Sequence, residues 1–312
     1  MGGRVGGAAD QAVAVNQTYT PNRTPAGDFV VGVVDTGIAK FHGGTHPWFA
    51  DHLYDDPPVD ELPAEGEELD ELPGHGTFVA GLILREAPAV KVRMVRPKSW
   101  EDSDVKDAIL ELGDCQLINL SFAGTEAETA APEPIVEALG GLDEAAVVVI
   151  AAGNRGVSSL VYPAAIRTTA AQARIIAVGA VDETRAGRYG GTPPVAGFSN
   201  FGEWVDCYAA GVQVLGPHLY YNERPSDSLL SSSLRGWARW SGTSFATATV
   251  TGVIARYVLD HPGTSVRDAA QTILDTSRTI PVRQNEAGTV EDWRPHIRGV
   301  DSTWGEILRG GS

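Results

Sequence analysis

The chain has 312 residues, 43% of them hydrophobic and 21% charged, enough for one large domain or two smaller ones with a sizeable core. Its 24 Lys and Arg against 40 Asp and Glu leave a formal charge of −16. Such a surface repels phosphate backbones and anionic headgroups, which excludes nucleic acid and membrane surfaces as expected partners. No apolar run reaches the roughly 18 residues of a membrane span.

The start, MGGRVGGAADQAVAV, lacks the charged-then-apolar pattern of a signal peptide. Residues 1–27 therefore read as a flexible N-terminal segment, and the expected location is cytoplasmic, or secreted if a signal or pro-segment has been removed. From about residue 28, short apolar runs alternate with longer segments of helical period. The runs are FVVGVV (29–34), VKVRMV (90–95), CQLINL (115–120), AAVVVIAA (145–152) and RIIAVGAV (174–181). Between two of them, SDVKDAILELG (103–113) places Val105, Ala108, Ile109 and Leu112 on one face, with Asp102 or Ser103 available as a cap and Gly113 as a terminator. Near-continuous rather than alternating apolarity in these runs predicts strands covered on both faces. The fold class is α/β: a doubly wound, mainly parallel sheet with helices on both faces.

This domain is expected over 28–280, with 281–312 as a polar C-terminal tail that packs on it. Residues 51–72 hold ten acids and no Lys or Arg, and read as a solvated acidic loop rather than a cation site, since they lack defined ligand spacing. Residues 216–239 read as a loop-like insert. Cys115 and Cys207 sit in apolar surroundings and are expected as buried thiols rather than a disulfide or metal site.

Open parallel sheets bind ligands beyond the carboxyl ends of their strands, so the residues just after each run are the informative ones. Asp35 follows the first run in VVDTGI, His75 opens an apolar helical stretch in GHGTFVAG, and Ser244 stands at a Gly-Thr-Ser turn entering another in SGTSFATATVTG. Taken singly they read as a turn residue, a structural histidine and a helix cap. An aspartic protease would need a second DTG copy or a dimer; no second copy is present, and the α/β pattern contradicts that fold.

Together, in the order Asp, His, Ser, these strings resemble the subtilase family of serine peptidases over roughly residues 29–276, and INLSFAG (118–124) and IAAGN (150–154) fit as well. The resemblance implies a serine endopeptidase that works through an acyl-enzyme. Ser244 would be the nucleophile, His75 the general base and then acid, Asp35 the group that orients the imidazole, and Asn154 the side-chain donor to the oxyanion. It further implies that Ser121, Phe122, Ala123 and Gly124 pair with an extended substrate, that Ala151, Ala152 and Gly153 form one wall of the specificity pocket, and that Val161 lies near its base. A branched Val161 would favour small or medium apolar residues before the scissile bond, whereas Arg155 at the pocket mouth would favour an acidic one. The implied partner is a peptide or protein substrate, with oligomeric state left open, and restricted peptide processing is the implied role.

The chain also departs from the family pattern. Ala248 stands where a proline usually follows the serine, a change associated in the family with aminolysis, so a peptide ligase or macrocyclase is the alternative. Ala210 similarly replaces a common proline. A catalytically silent binding protein would need a broken constellation. The family's strong calcium site is not expected, because its loop after His75 is missing and Gly44 stands where its carboxylate would be; no metal or cofactor is implied. With about 28 residues before the first strand, either a trimmed precursor or unaided folding is expected.

Overall fold

The computed structural model describes residues 13–14, 27–41, 44–46, 48–49, 51–60, 73–124, 130–167, 172–220, 235–284 and 290–299. In chain order the strands are β1 (Val13–Ala14), β2 (Val30–Val34), β3 (Ile38–Phe41), β4 (Gly44–Thr45), β5 (Val59–Asp60), β6 (Lys91–Val95), β7 (Leu117–Leu120), β8 (Val147–Ala151) and β9 (Arg174–Val181). They continue with β10 (Cys207–Ala210), β11 (Val214–Tyr220), β12 (Arg235–Trp240), β13 (Thr279–Gln284) and β14 (Val290–Pro295). The helices are α1 (His75–Glu86), α2 (Asp102–Glu111), α3 (Glu133–Gly140), α4 (Thr243–Asp260) and α5 (Val266–Thr276).

Six strands form a parallel sheet in the order β10-β9-β8-β7-β2-β6. Side chains alternate across it. Val31, Val33, Val147 and Val149 join α1, α4 and α5 in one apolar cluster. Val34, Val148 and Ile150 join Val105 and Ile109 of α2 and Ile135 and Leu139 of α3 in the other. Two covered faces leave few polar positions along the central strands, which is why those runs are almost wholly apolar, Asn119 of β7 being a buried exception. The doubly wound α/β class expected from the sequence is the one observed. Among the described residues, no helix is long and apolar enough to cross a membrane.

Several boundaries differ from the sequence expectation. Helix α2 is entered from Glu101, in extended conformation and without a side-chain cap bond, so neither Asp102 nor Ser103 caps it. The Ser99 hydroxyl instead donates to the Asp104 carboxylate at 2.5 Å. The 216–239 insert begins and ends in strand: β11 and β12 pair antiparallel, and β12 runs directly into α4. Residues 221–234 lie outside the described residues, as do 61–72 of the acidic loop. Beyond 280 the chain forms the β13–β14 hairpin, and Ile297 N donates to Tyr208 O at 2.8 Å, which ties this segment to strand β10 at the sheet edge. Of residues 1–27, Val13 and Ala14 pair with Arg239 and Ala238 of β12. Cys115 and Cys207 are buried free thiols.

Helices α1 and α4 cross with almost no space between their backbones. A Cβ at Gly252 would lie 2.5 Å from the Glu86 Cβ and 2.8 Å from the Ile83 carbonyl oxygen. Arg85 and Glu86, both buried, extend the same contact: Arg85 Nη2 lies 2.9 Å from Glu86 Oε1 and donates to Thr249 Oγ1 at 3.3 Å. An exposed helical Gly→Ala exchange gains up to about 1 kcal/mol, but overpacking against backbone costs about 1–3 kcal/mol. Gly252→Ala is therefore expected to be destabilising, seen as a lower denaturation midpoint at unchanged m-value.

His218 on β11 is fully buried between Gly74 and the rings of Phe78 and Trp240, and among the described residues neither ring nitrogen has a hydrogen-bond partner. Burial first, and then the neighbouring His75 and His46, lower its pKa from 6.5 to about 3. The unfolded chain binds this proton near pH 6.5 and the folded one only near 3. Stability is therefore lost as pH falls through that window, by about 1.4 kcal/mol per pH unit. His218→Leu should remove one proton from the pH slope of unfolding free energy between pH 6 and 4, as measured by denaturant titration against the parent chain; an unchanged slope would refute the assignment.

Candidate active site

Strand β2 ends at Asp35, whose backbone N–H donates to Val95 O of β6 at 3.0 Å. The chain then turns away through Thr36 and Gly37, with φ 119° at Gly37. Helix α1 starts directly over this turn. A Cβ on Gly76 would lie 2.4 Å from Gly37 O, so only glycine permits this approach. His75 Nδ1 consequently sits 2.8 Å and 3.0 Å from the two oxygens of Asp35, both residues being buried. A carboxylate accepts, so Nδ1 carries the proton and Nε2 presents its lone pair. Trp240 and Phe245 hold the imidazole from the far side, with ring centroids 5.7 Å and 5.6 Å away.

Ser244 is the second residue of α4 and precedes Phe245. Its hydroxyl donates to Ser121 O at 2.8 Å, so in this arrangement its acceptor is the end of the β7 strand rather than His75. The Ser121 hydroxyl lies 2.7 Å from Asn119 Oδ1 and 3.1 Å from Ser244 O, and Asn119 Nδ2 donates to Thr251 Oγ1 at 3.0 Å. These bonds clamp the first turns of α4 to β7.

Asn154 follows β8. Its Oδ1 accepts from both Thr243 N and Thr243 Oγ1, each at 2.8 Å. Because a backbone N–H can only donate, the amide orientation is fixed by chemistry. Nδ2 is left as the outward donor beside Gly242, where a Cβ would stand 3.6 Å from it. The Thr243 hydroxyl also accepts from Gly153 N at 3.1 Å. It thus spans the β8 turn and the α4 entry.

The other sequence-nominated residues divide. Ser121, Ala151, Ala152 and Val161 are buried, Phe122 packs on Trp100, and Ala123 and Gly124 are half-buried. Gly124 N already donates to Tyr162 O at 2.8 Å. Gly153 has φ 98°, and a Cβ there would meet Asn200 Nδ2 at 2.6 Å. Arg155 is half-buried, and its backbone N–H donates to Asn200 Oδ1.

Three residues escaped sequence reading. Asn200, fully buried, donates to Ala152 O at 2.7 Å and accepts from Arg155 N and Val157 N at 3.1 Å, bracing the turn that carries Asn154. Thr243 was visible only as part of a turn. Asp60 was counted among the acids of the 51–72 loop, yet it is buried beneath the start of α1, where it accepts from Thr36 Oγ1 at 2.7 Å and Gly74 N at 2.8 Å. Among the described residues, no group of three or more His, Cys, Asp or Glu is arranged to hold a metal.

The chain is 31% identical over 278 residues to a thermophilic serine proteinase of Bacillus sp. (strain AK1), covering 80% of this chain and 56% of that protein. It is 28% identical to a subtilisin of Bacillus pumilus, covering 78% of this chain and 82% of that one. The chain spans about half the length of several curated relatives it matches. Among solved structures, the prenylagaramide maturation protease PagA superposes with a TM-score of 0.60 at 23% identity, covering 90% of this chain and 94% of that one. The family model described as "Subtilase family" matches residues 27–292, most of the sequence, and the chain belongs to that family.

Proposed function

We propose that this chain is a serine endopeptidase in which Ser244, His75 and Asp35 act as the triad and Asn154 as the oxyanion donor. The observation that carries the reading is the buried Asp35–His75 hydrogen bond, which fixes the imidazole tautomer and leaves Nε2 as the base. Rotation of the Ser244 side chain between staggered wells takes Oγ from the Ser121 carbonyl toward that base. As Oγ attacks the scissile carbonyl, His75 takes its proton and Asp35 stabilises the imidazolium. The oxyanion meets the Asn154 amide and the Ser244 N–H at the start of α4, where unsatisfied N–H groups and the helix dipole favour negative charge. His75 then gives the proton to the leaving amine, and water releases the acyl group by the same steps in reverse.

The substrate would be an extended peptide bound beside Ser121–Gly124, with a small or medium apolar residue before the cleaved bond if Val161 limits the pocket, or an acidic one if Arg155 governs it. Restricted peptide processing is the proposed role, and the fold likeness to a maturation protease makes precursor peptides the first substrates to try. A second reading, peptide ligation, has one structural observation in its favour. Ala248 is buried inside an unbroken α4, where the entry of the helix lacks a proline.

Incubation of a diverse peptide mixture with the chain and with Ser244→Ala, with and without an amine nucleophile, separates these readings by mass spectrometry. Cleavage by the parent alone is the expected outcome. Joined products would promote ligation, and persistence of cleavage in Ser244→Ala would overturn the proposal. Asn154→Ala should lower kcat by about 10²–10³ with KM little changed. Thr243→Val, which removes one of the two bonds to Asn154 Oδ1 and leaves the backbone one, should lower kcat by about fivefold to tenfold, corresponding to a lost neutral hydrogen bond. Thr243→Ser should restore it.

A further inference from the structure

We propose that Asp60 is a positioning residue of this site: a second buried carboxylate that must be ionised for His75 to be held in register with Asp35. This rests on the peptidase reading above. The geometry is a closed relay. Thr36 N donates to Asp35 Oδ1 at 2.8 Å, the Thr36 hydroxyl accepts from Gly76 N at 2.9 Å, and that hydroxyl donates its own proton to Asp60 Oδ2 at 2.7 Å. The same Asp60 oxygen accepts from Gly74 N at 2.8 Å. His75 lies between Gly74 and Gly76, so both amides flanking it are tied, directly or through Thr36, to Asp60.

Helix α1 has no side-chain cap of its own, since its N-cap residue is Gly74. Asp60 supplies from a distance what a local Asp or Ser would otherwise give, and a negative charge here is favoured by the helix dipole. Bonds to an ionised acceptor are roughly twice as strong as neutral ones. The relay is therefore tight when Asp60 is charged and loose when it is protonated.

The groups facing Asp60 set where that change falls. Burial raises its pKa from 3.8 to about 7; the Thr36 and Gly74 bonds and the Arg96 guanidinium lower it, and the Asp35 charge raises it. Arg96, beyond β6, also donates to Val59 O at 3.4 Å. Protonation of Asp60 therefore adds one proton, taken up near pH 7, to the acid side of the activity profile.

The test uses the intact chain. For the parent, log(kcat/KM) should fall between about pH 7.5 and 6 more steeply than for Asp60→Asn, by up to one proton per pH unit. Asp60→Asn keeps the shape without the charge, and should lose that extra proton, with a plateau about tenfold lower and KM little changed. Thr36→Ser should preserve the steep limb, and Thr36→Val should lose it. An activity-independent reading comes from NMR of Ser244→Ala: the Gly74 amide should titrate near pH 7, and this step should vanish when Asp60→Asn is added. Parent and Asp60→Asn profiles of the same steepness, or a Gly74 step that survives the substitution, would overturn the inference. A parent chain inactive on every peptide would sink the peptidase reading instead, while the Gly74 titration would still decide the role of Asp60.

Discussion

The constraint on which the site depends is the contact between the tip of β2 and the first turn of α1. Gly76 rests on Gly37 with no room for a side chain, and that closeness lets His75 Nδ1 come within 2.8 Å of Asp35. The two residues are 40 positions apart, so nothing local can enforce the pairing. The chain enforces it by backbone proximity, then locks it with hydrogen bonds from the turn residues themselves. Ala39 N donates to Thr77 Oγ1 at 2.7 Å, and Ile38 N to Pro58 O at 2.9 Å, so β3 and the approach to β5 hold the same corner from outside.

The second half of the site is built by the same device on a different helix. Helix α4 has thirteen consecutive buried residues from Thr243 to Ala255, and it lies against β7, β8, β9 and β10 of the parallel sheet while crossing α1 at Gly252. Its position is thereby fixed from both sides, and Ser244 inherits that fixity. Where α4 begins, the side chains of Asn154, Ser121 and Asn119 tie it to the ends of β7 and β8. Two helix N-termini thus converge beyond the carboxyl ends of a parallel sheet, the place where such sheets leave backbone N–H groups unpaired and available to a ligand.

The sheet and its two helical layers were legible because continuous apolar runs have one economical explanation, burial on both faces. Asp35, His75 and Ser244 were legible because each stands at a turn beside such a run, in strings similar to a known family. What was not legible is the bracing. Asp60 looked like one acid among ten, since its charge pattern says solvent; only the three-dimensional path of the chain turns it inward beneath Gly74. Asn200 and Thr243 are short polar residues of the kind that fill any loop, and their roles depend on partners 43 to 90 positions away. The antiparallel β11–β12 pair reads as a loop in the sequence because residues 216–239 are rich in Ser and Tyr. Its apolar side chains nonetheless face α1: a Cβ on Gly81 would lie 2.1 Å from Pro217.

Burial beside the site has produced two titrations of opposite sign. Asp60, pushed up to about 7, keeps its proton in the folded chain below that pH, whereas an unfolded carboxyl releases it above about 4. Lowering the pH across that interval therefore stabilises the fold through Asp60. His218, pushed down to about 3, does the reverse from pH 6.5 downward. Between about pH 6.5 and 4 the two contributions to global stability largely cancel. Within the folded chain, however, only Asp60 of the two changes charge over that interval, and its oxygen bonds to Gly74 N–H. Mild acid therefore loosens the start of α1 through Asp60 while the fold as a whole stays intact, because global stability sums over the chain and the geometry of His75 depends on this one turn.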